Sequence, residues 1–396
     1  MTGAGALAGL KVIDLSRVLA GPFCAQMLAE HGADVIKVEP PEGDETRGWG
    51  PPFKNGDATF YLSVNRSKRT IALDLSLAEG REVLLRLLAD ADVLIENFKT
   101  GTLEKWGISR SVLQDRSPRL VHCTITGFGN DGPWGGMPGY DLFIQAWSGI
   151  MSLNGAPESG PNRLGLPFVD LSTGTNAAFG IMLALRQRDV TGRGQHVELA
   201  LLDIAISQLV PAAQTWFVAG KSQGLSGNTH ASIAPYSLHQ TGGRSIIIAA
   251  GNDRMFRKLC TVLGKPHLAD DPRFVTNVVR VANRAALTAE LEGTMAGRDG
   301  EELALELMAS GVGAGAVMSV GDALEHPHVR HRGMVTKAGD DLTLGVPVRL
   351  SDTTAVVPTP PPAFAADNAA ILAELGFDAA AVAGLIAAGA VVTSRR

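Results

Sequence analysis

Only three cysteines occur in the 396 residues, Cys24, Cys123 and Cys260, far apart and without a CxxC. A disulfide scaffold and a zinc site are therefore not expected, no metal is called for, and a reducing cytoplasm fits. No GxxxxGK[ST] is present, which removes a P-loop ATPase as the leading idea. No basic tail or stripe is present either, and the net charge is -5. Nucleic acid and anionic membranes are thus disfavoured as partners. No uncharged apolar run is long enough to cross a bilayer. The nearest, Ala379 to Val392, is short and rich in small residues, and reads as a packed terminal helix or ordered tail. The opening Met1-Thr2-Gly3-Ala4-Gly5 lacks the basic and apolar regions of a secretory signal. What is present is a chain 45% hydrophobic and 19% charged. That composition and length predict a globular protein of two domains.

Strand and helix signals alternate through the first half. Strands are expected at Lys11 to Leu15, Ala33 to Val38, Ala91 to Glu96, Arg119 to Ile125 and His196 to Leu201. Helices are expected at Ala25 to His31, Leu77 to Leu88, Tyr140 to Met151, Ala177 to Arg186, and from Leu201 to about Ala219. This alternation predicts a parallel sheet covered on both faces. Composition shifts at Lys221-Ser222-Gln223-Gly224, which reads as a linker. Beyond it, Tyr236 to Ala250 reads as antiparallel strands, and Met255 to Leu263 and Arg284 to Met295 as helices. The segment to about Val317 is a smaller α+β domain. A Pro-rich connector, Pro358 to Pro362, leads to the last helix.

Several motifs invite chemistry and fail a physical test. Gly3-Ala4-Gly5 with Gly9 precedes the first strand, and a dinucleotide fingerprint must follow it. His326, His328 and His331 lack supporting ligands and sit beside Pro327 and two arginines, so packing or solvation is the reading. Gly21-Pro22 is either turn punctuation or part of a ligand wall. The basic run Asn65-Arg66-Ser67-Lys68-Arg69 is either a surface cluster or a phosphate contact.

Asp170 carries the reading furthest. Apolar residues precede it closely, and a Gly/Ser/Thr turn and a helical run follow. A loop-to-helix junction offers unpaired N–H groups and a positive dipole end, which keep a carboxylate ionised. Such a carboxylate can attack a thioester and take up an acyl group covalently. The competing reading is a helix N-cap.

Val12-Ile13-Asp14-Leu15-Ser16-Arg17-Val18-Leu19-Ala20-Gly21-Pro22 and Gly32-Ala33-Asp34-Val35-Ile36-Lys37-Val38-Glu39-Pro40-Pro41 resemble the opening of the family III CoA-transferases. The likeness continues through Asn65 to Asp74, Glu96-Asn97-Phe98, Thr126 to Gly129, Gly139-Tyr140-Asp141, Thr191 to Val197 and Gly251-Asn252-Asp253. It weakens after about Gly345. The resemblance implies a Rossmann-like large domain in residues 1–220, a smaller α+β domain in 221–325, and a return to the large domain in 326–396. It also implies an interlocked homodimer. The family's nucleophile falls on Asp170, which would form a mixed anhydride and then an aspartyl-CoA thioester. Such covalent catalysis depends on excluding water.

By the same resemblance, coenzyme A or acyl-CoA enters as substrate, with no tightly bound cofactor. Val18 and Leu19 would flank it and Leu73 would touch the adenine region. Asn97, Phe98 and Lys99 match a CoA-contacting loop, and Lys105 is a phosphate partner. Gly139, Tyr140 and Asp141 match the segment beside the thioester. Gly227, Asn228 and His230 fall where relatives carry a substrate loop, with His230 either a carboxylate partner or packed. The segment from Gly227 to Pro235 looks more like relatives that use dicarboxylic acids than like oxalate-specific ones. The α-methylacyl-CoA racemases share the fold and pair the aspartate with a histidine. Tyr140 stands at that position here, and a phenol is a poor base at neutral pH. A silent CoA-binding paralogue is the remaining alternative, and Asp170 speaks against it.

Overall fold

The computed structural model describes residues 5–396. Gly3 and Ala4, and with them most of the opening segment, lie outside the described residues. Two compact units are present. The first comprises residues up to 150, 163–220 and 333–396; the second comprises 151–162 and 221–332.

The first unit is built on six parallel strands: Lys11–Asp14 (β1), Asp34–Glu39 (β2), Arg69–Ala72 (β3), Val93–Glu96 (β4), Val121–Thr126 (β5) and His196–Ala200 (β6). Their order is β6-β5-β4-β1-β2-β3. Successive side chains of a strand face opposite ways. Val12, Val35, Val93 and Val121 therefore enter one buried cluster, while Ile13, Ile36 and Leu94 enter another. Both faces are buried, and each strand carries apolar residues on both sides, as parallel sheets require; charged residues such as Asp14, Lys37 and Glu39 fall at or near the carboxyl ends of β1 and β2. Helices Ala20–Glu30 (α1) and Phe168–Thr191 (α2) cover the first face. Ala78–Ala89 and Asn368–Glu374 cover the second.

The strand β3 was not anticipated. It is a short edge strand, and its free side is closed from far along the chain. Thr70 N donates to Asp367 Oδ2 at 2.9 Å and Ala72 N to Asn368 Oδ1 at 2.9 Å. The helix expected at Ala177 begins nine residues earlier, at Phe168. By length and composition α2 could cross a membrane. Its inner residues, from Val169 to Leu185, are instead buried in the first cluster, as in a core helix of a folded domain. The helix expected over Tyr140 to Met151 is two: Asp141–Trp147 (α3) and Ile150–Leu153, parted at Gly149 with φ 90.

The basic run before β3 is neither a surface cluster nor a phosphate site. Lys68 is buried, and its Nζ donates to Asp14 Oδ2 at 2.9 Å, Pro22 O at 2.8 Å and Asn65 Oδ1 at 2.9 Å. Arg66 pairs with Glu30, and Arg69 with Asp34 and Glu374. Burial pushes the Lys68 ammonium down to about 8. A second buried group lies alongside. Lys37 Nζ contacts Asp44 at 2.9 Å, and Arg47 reaches Glu39 and Asp57, each at 2.7 Å. These pairs stiffen the carboxyl ends of β1 and β2.

In the second unit, Tyr236–His239, Ile246–Ala249 and Gly313–Ala316 form an antiparallel sheet. Helices including Asp253–Val262 and Gly300–Ala309 pack Phe256, Leu259 and Leu303 against it. Among the described residues no cluster of His, Cys, Asp and Glu could hold a metal ion. His326 caps the short helix Pro327–His331, its Nδ1 accepting from His328 N at 3.1 Å.

Candidate active site

In an open parallel sheet, ligands bind beyond the carboxyl ends of the strands where the strand order reverses. Here that point lies between β1 and β4. A cavity of about 460 Å³ opens there. Arg17, Val18, Leu19 and Ala20 line it from the turn after β1, and Asn97 to Thr100 from the turn after β4. Thr126, the last residue of β5, and Gly127 after it extend the wall, as do Met137 to Tyr140 and Asp170.

The turn after β1 is held in an unusual shape. Val18 has φ 69, a left-handed conformation that costs a β-branched residue about 1–3 kcal/mol. It persists because its neighbours are fixed. Arg17 N donates to Asn97 Oδ1 and Asn97 Nδ2 donates to Arg17 O. Lys37 Nζ donates to Ser16 O at 2.8 Å, and Ser16 N to Asp14 Oδ1 at 3.0 Å. The Arg17 guanidinium lies over the Phe98 ring, 5.4 Å from its centroid.

Asp170 is the third residue of α2 and not its N-cap; Pro167 occupies the cap position, without a side-chain bond. The first amides of the helix are all engaged. Phe168 N donates to Leu166 O and Leu171 N to Pro167 O. Val169 N and Asp170 N both donate to Asp141 Oδ2, at 2.7 and 3.1 Å. No free N–H group is left to hold the Asp170 carboxylate ionised, contrary to the expectation for this junction. Burial, and then the Asp141 carboxylate, push the Asp170 carboxyl up to about 7. The helix dipole favours the anion, but desolvation and a like charge outweigh it.

Close backbone packing sets the position of Asp141. A Cβ on Gly127 would meet Gly139 N at 2.5 Å, and one on Gly139 would meet Gly127 Cα at 2.6 Å. Only glycine fits either place. Gly174 does the same for α2, since a Cβ there would meet Ala20 O at 2.5 Å.

Of the residues expected at the site, Val18, Leu19, Asn97, Phe98, Lys99, Gly139, Tyr140 and Asp170 share this one cavity. Asp141 does not line it; it lies beneath the start of α2. Leu73 is fully buried and lines an adjacent cavity of about 300 Å³ that shares Arg17 and Phe98 with the first. Lys105 ends the short helix Thr102–Lys105, is exposed, and lines neither cavity. Gly227, Asn228 and His230 belong to the second unit. There Gly227 N donates to Gly155 O, Asn228 O accepts from Leu238 N, and the His230 ring stacks on Tyr236 at 5.1 Å. Arg17, Glu45, Thr126 and Met137 also line the cavity and were not anticipated. For Arg17 a signal existed: it lies in the turn just beyond the first strand, three residues after Asp14, where parallel sheets bind ligands.

A family model described as CoA-transferase family III matches residues 7–368. The succinate–glutarate CoA-transferase of Agrobacterium fabrum is 39% identical over 381 residues, 93% of this chain and 95% of that protein. The succinyl-CoA:glutarate CoA-transferase of Homo sapiens is 36% identical, over 97% of this chain and 90% of its own length. The crystal structure of a CAIB/BAIF family protein from Brucella suis superimposes with a TM-score of 0.88 at 44% identity, covering 94% of this chain and all of that one.

Proposed function

The chain belongs to CoA-transferase family III and is a CoA-transferase; from that premise we propose that it moves coenzyme A between two carboxylic acids with Asp170 as the covalent nucleophile. The observation that carries this reading is the Asp170 carboxyl itself. It is half-buried in the wall of a cavity at the reversal of strand order, and it is more basic than an ordinary aspartate. A more basic carboxylate is a stronger nucleophile, and its ionised form is abundant at neutral pH.

The sequence of bonds is as follows. A carboxylate oxygen of Asp170 attacks the thioester carbonyl of the donor. The C–S bond breaks, CoA thiolate departs, and a mixed anhydride remains. The thiolate then attacks the Asp170 carbonyl, and the donor acid leaves as its carboxylate. An aspartyl-CoA thioester results. The acceptor carboxylate displaces the thiolate to give a second anhydride, and the thiolate attacks the acceptor's carbonyl to free Asp170. No net proton is taken up or released. CoA lies along Val18, Leu19 and the Asn97–Lys99 turn, with Leu73 beside its adenine end. Arg17 and Lys99 put two cations in or beside the cavity for phosphate or carboxylate groups.

A dicarboxylate acceptor is part of this proposal. Relatives named for glutarate and mesaconate support it. So does Arg17, whose guanidinium has no carboxylate partner among the described residues. Gly227, Asn228 and His230 are proposed as the substrate loop. The working form is a homodimer in the cytoplasm. Helix Val210–Ala219 supports the dimer, since none of its residues is buried although it carries Trp216, Phe217 and Val218. The three unpaired, buried thiols support a reducing compartment.

The test is a panel of acyl-CoA donors, succinyl-CoA first, against mono- and dicarboxylic acids, followed by mass spectrometry. The expected result is exchange of CoA to a dicarboxylate. Hydroxylamine added during turnover should leave a hydroxamate on the peptide that contains Asp170. Turnover that persists in Asp170→Asn would overturn the nucleophile assignment, and sedimentation as an active monomer at nanomolar concentration would overturn the dimer.

A further inference from the structure

We propose that Asp141 is a positioning residue for the nucleophile: its carboxylate claims the amides at the start of α2, so that the Asp170 carboxylate is aimed at the cavity without hydrogen bonds from its own helix. This inference rests on Asp170 being the nucleophile.

Asp141 is the first residue of α3, and Gln145 follows one turn later on the same face. One Asp141 oxygen accepts from Val169 N at 2.7 Å and from Asp170 N at 3.1 Å. The other accepts from Gln145 Nε2. Gln145 is buried in turn, and its Oε1 accepts from Leu164 N at 2.9 Å, just ahead of α2. A closed set of bonds thus ties α3 to the segment entering α2. Asp141 accepts three hydrogen bonds, and the Asp170 carboxylate receives none among the described residues. A helix start ordinarily serves as an anion site. Here its binding capacity is given to a structural carboxylate, and the reacting one sits beside it.

The consequence is a free nucleophile that is poorly stabilised as an anion. Burial and the neighbouring negative charge both disfavour it. Once Asp170 becomes an anhydride or a thioester it carries no charge, and the repulsion from Asp141 ends. Asp141 therefore raises the energy of the free carboxylate relative to the acylated states, a form of ground-state destabilisation. Other charged groups near this carboxylate are few. The turn after β1 brings Arg17, the turn after β4 brings Lys99, and the short helix at Glu45–Gly48 brings Glu45, all in the cavity wall. The helix Leu201–Ser207 packs on α2 and brings Asp203, which is exposed. Helix α1 contributes only Ala20 to the cavity.

The experiment compares wild type with Asp141→Asn, Asp141→Ala and Asp170→Asn in the full chain. Asn retains an oxygen for the two amides and removes the charge, which guards against a variant that fails to fold. The first readout needs no substrate. Protein labelled with ¹³C at the aspartate carboxyl is titrated, and the Asp170 signal is the one absent in Asp170→Asn. The second is the pH profile of kcat/KM for transfer from succinyl-CoA to glutarate. The expected result in Asp141→Asn is a downward move of the Asp170 titration by roughly one pH unit or more. The acid limb of the rate should move with it, and plateau turnover should fall about tenfold or more. An Asp170 titration unmoved in folded Asp141→Asn would overturn this inference and leave the nucleophile assignment intact. Turnover retained in Asp170→Asn would instead overturn the nucleophile assignment, and this inference with it.

Discussion

The side-chain amide of Asn97 grips the backbone of Arg17 from both sides, accepting from its N–H at 2.9 Å and donating to its carbonyl at 2.8 Å. Strand β1 and strand β4 are neighbours, so this clamp joins the two turns that form the cavity's rim. It also explains how Val18 stays left-handed. Replacing Asn97 with alanine should free the turn to relax. The expected outcome is a fall in kcat/KM of about ten- to a hundredfold with a loss of stability of only about 1–3 kcal/mol. Steady-state kinetics and denaturant titration on one preparation check this. Full activity in Asn97→Ala would show that the strained turn is not needed.

Replacing Asp170 with asparagine should remove activity and raise stability. Between the ordinary 3.8 and about 7, the native protein holds a proton on Asp170 that the unfolded chain has released. Stability therefore falls as pH rises through that window. Asparagine has no such dependence. Melting temperatures of variant and wild type should coincide near pH 4 and diverge above pH 7, the variant being more stable by about 1–4 kcal/mol. A wild type more stable than the variant at pH 8 contradicts the cost assigned to this carboxylate.

The buried pair Asp14–Lys68 leads to the opposite sign in acid. Asp14, Glu39 and Asp44 all lie below the usual carboxylate range, because Lys68, Lys37 and Arg47 hold them ionised against the cost of burial. Their contribution is complete above the unfolded carboxylate range and is lost as pH falls through and below it. Asp14→Ala leaves the Lys68 ammonium buried without its partner and should cost about 3–5 kcal/mol at pH 7. Its acid unfolding should also be less steep. Urea titrations at pH 7 and pH 4 decide the matter.

Tyr140 bears on what kind of chemistry the cavity supports. It lines the cavity, to which no histidine among the described residues contributes, and its ring meets Phe143 edge-on at 5.9 Å. Two-sided proton transfer at an α-carbon needs a base on each face. Incubation with a 2-methylacyl-CoA in deuterated water should therefore give little α-deuteration. Rapid deuteration with no CoA exchange across a broad acid panel would favour a racemase.

Where sequence reasoning succeeded and failed follows from the range of the interactions. β1, β2, β4, β5 and β6 are short segments centred on β-branched and aliphatic residues such as Val12-Ile13, Val35-Ile36 and Val93-Leu94-Ile95, and each lies within a residue or two of its expected place. β3 reads poorly because its partners, Asp367 and Asn368, come from nearly three hundred residues away. The position of Asp170 was legible; its protonation was not, since that depends on burial and then on the nearby Asp141 carboxylate, both of which exist only after folding. Arg66 and Lys68 look like surface charge in the sequence because Glu30 and Asp14 are remote in it. The break at Gly149 divides a helix whose hydrophobic spacing runs on without interruption.

The closure of the second face of the sheet has a consequence for the order in which the protein is made. Ile371, Leu372 and Val391 belong to the same buried cluster as Ile13, Ile36 and Leu84. The bond from Ala72 to Asn368 spans 296 positions. By the time a ribosome nears the end of the second unit, at Arg332, all six strands are outside the exit tunnel, with β3 unpaired on one side and apolar side chains uncovered. Open edges and exposed apolar faces are where nascent chains aggregate or recruit chaperones. The first unit can therefore reach its native state only after synthesis has passed Val391, and a stall between residues 220 and 333 would leave a chain that holds Asp170 but cannot complete the core behind it.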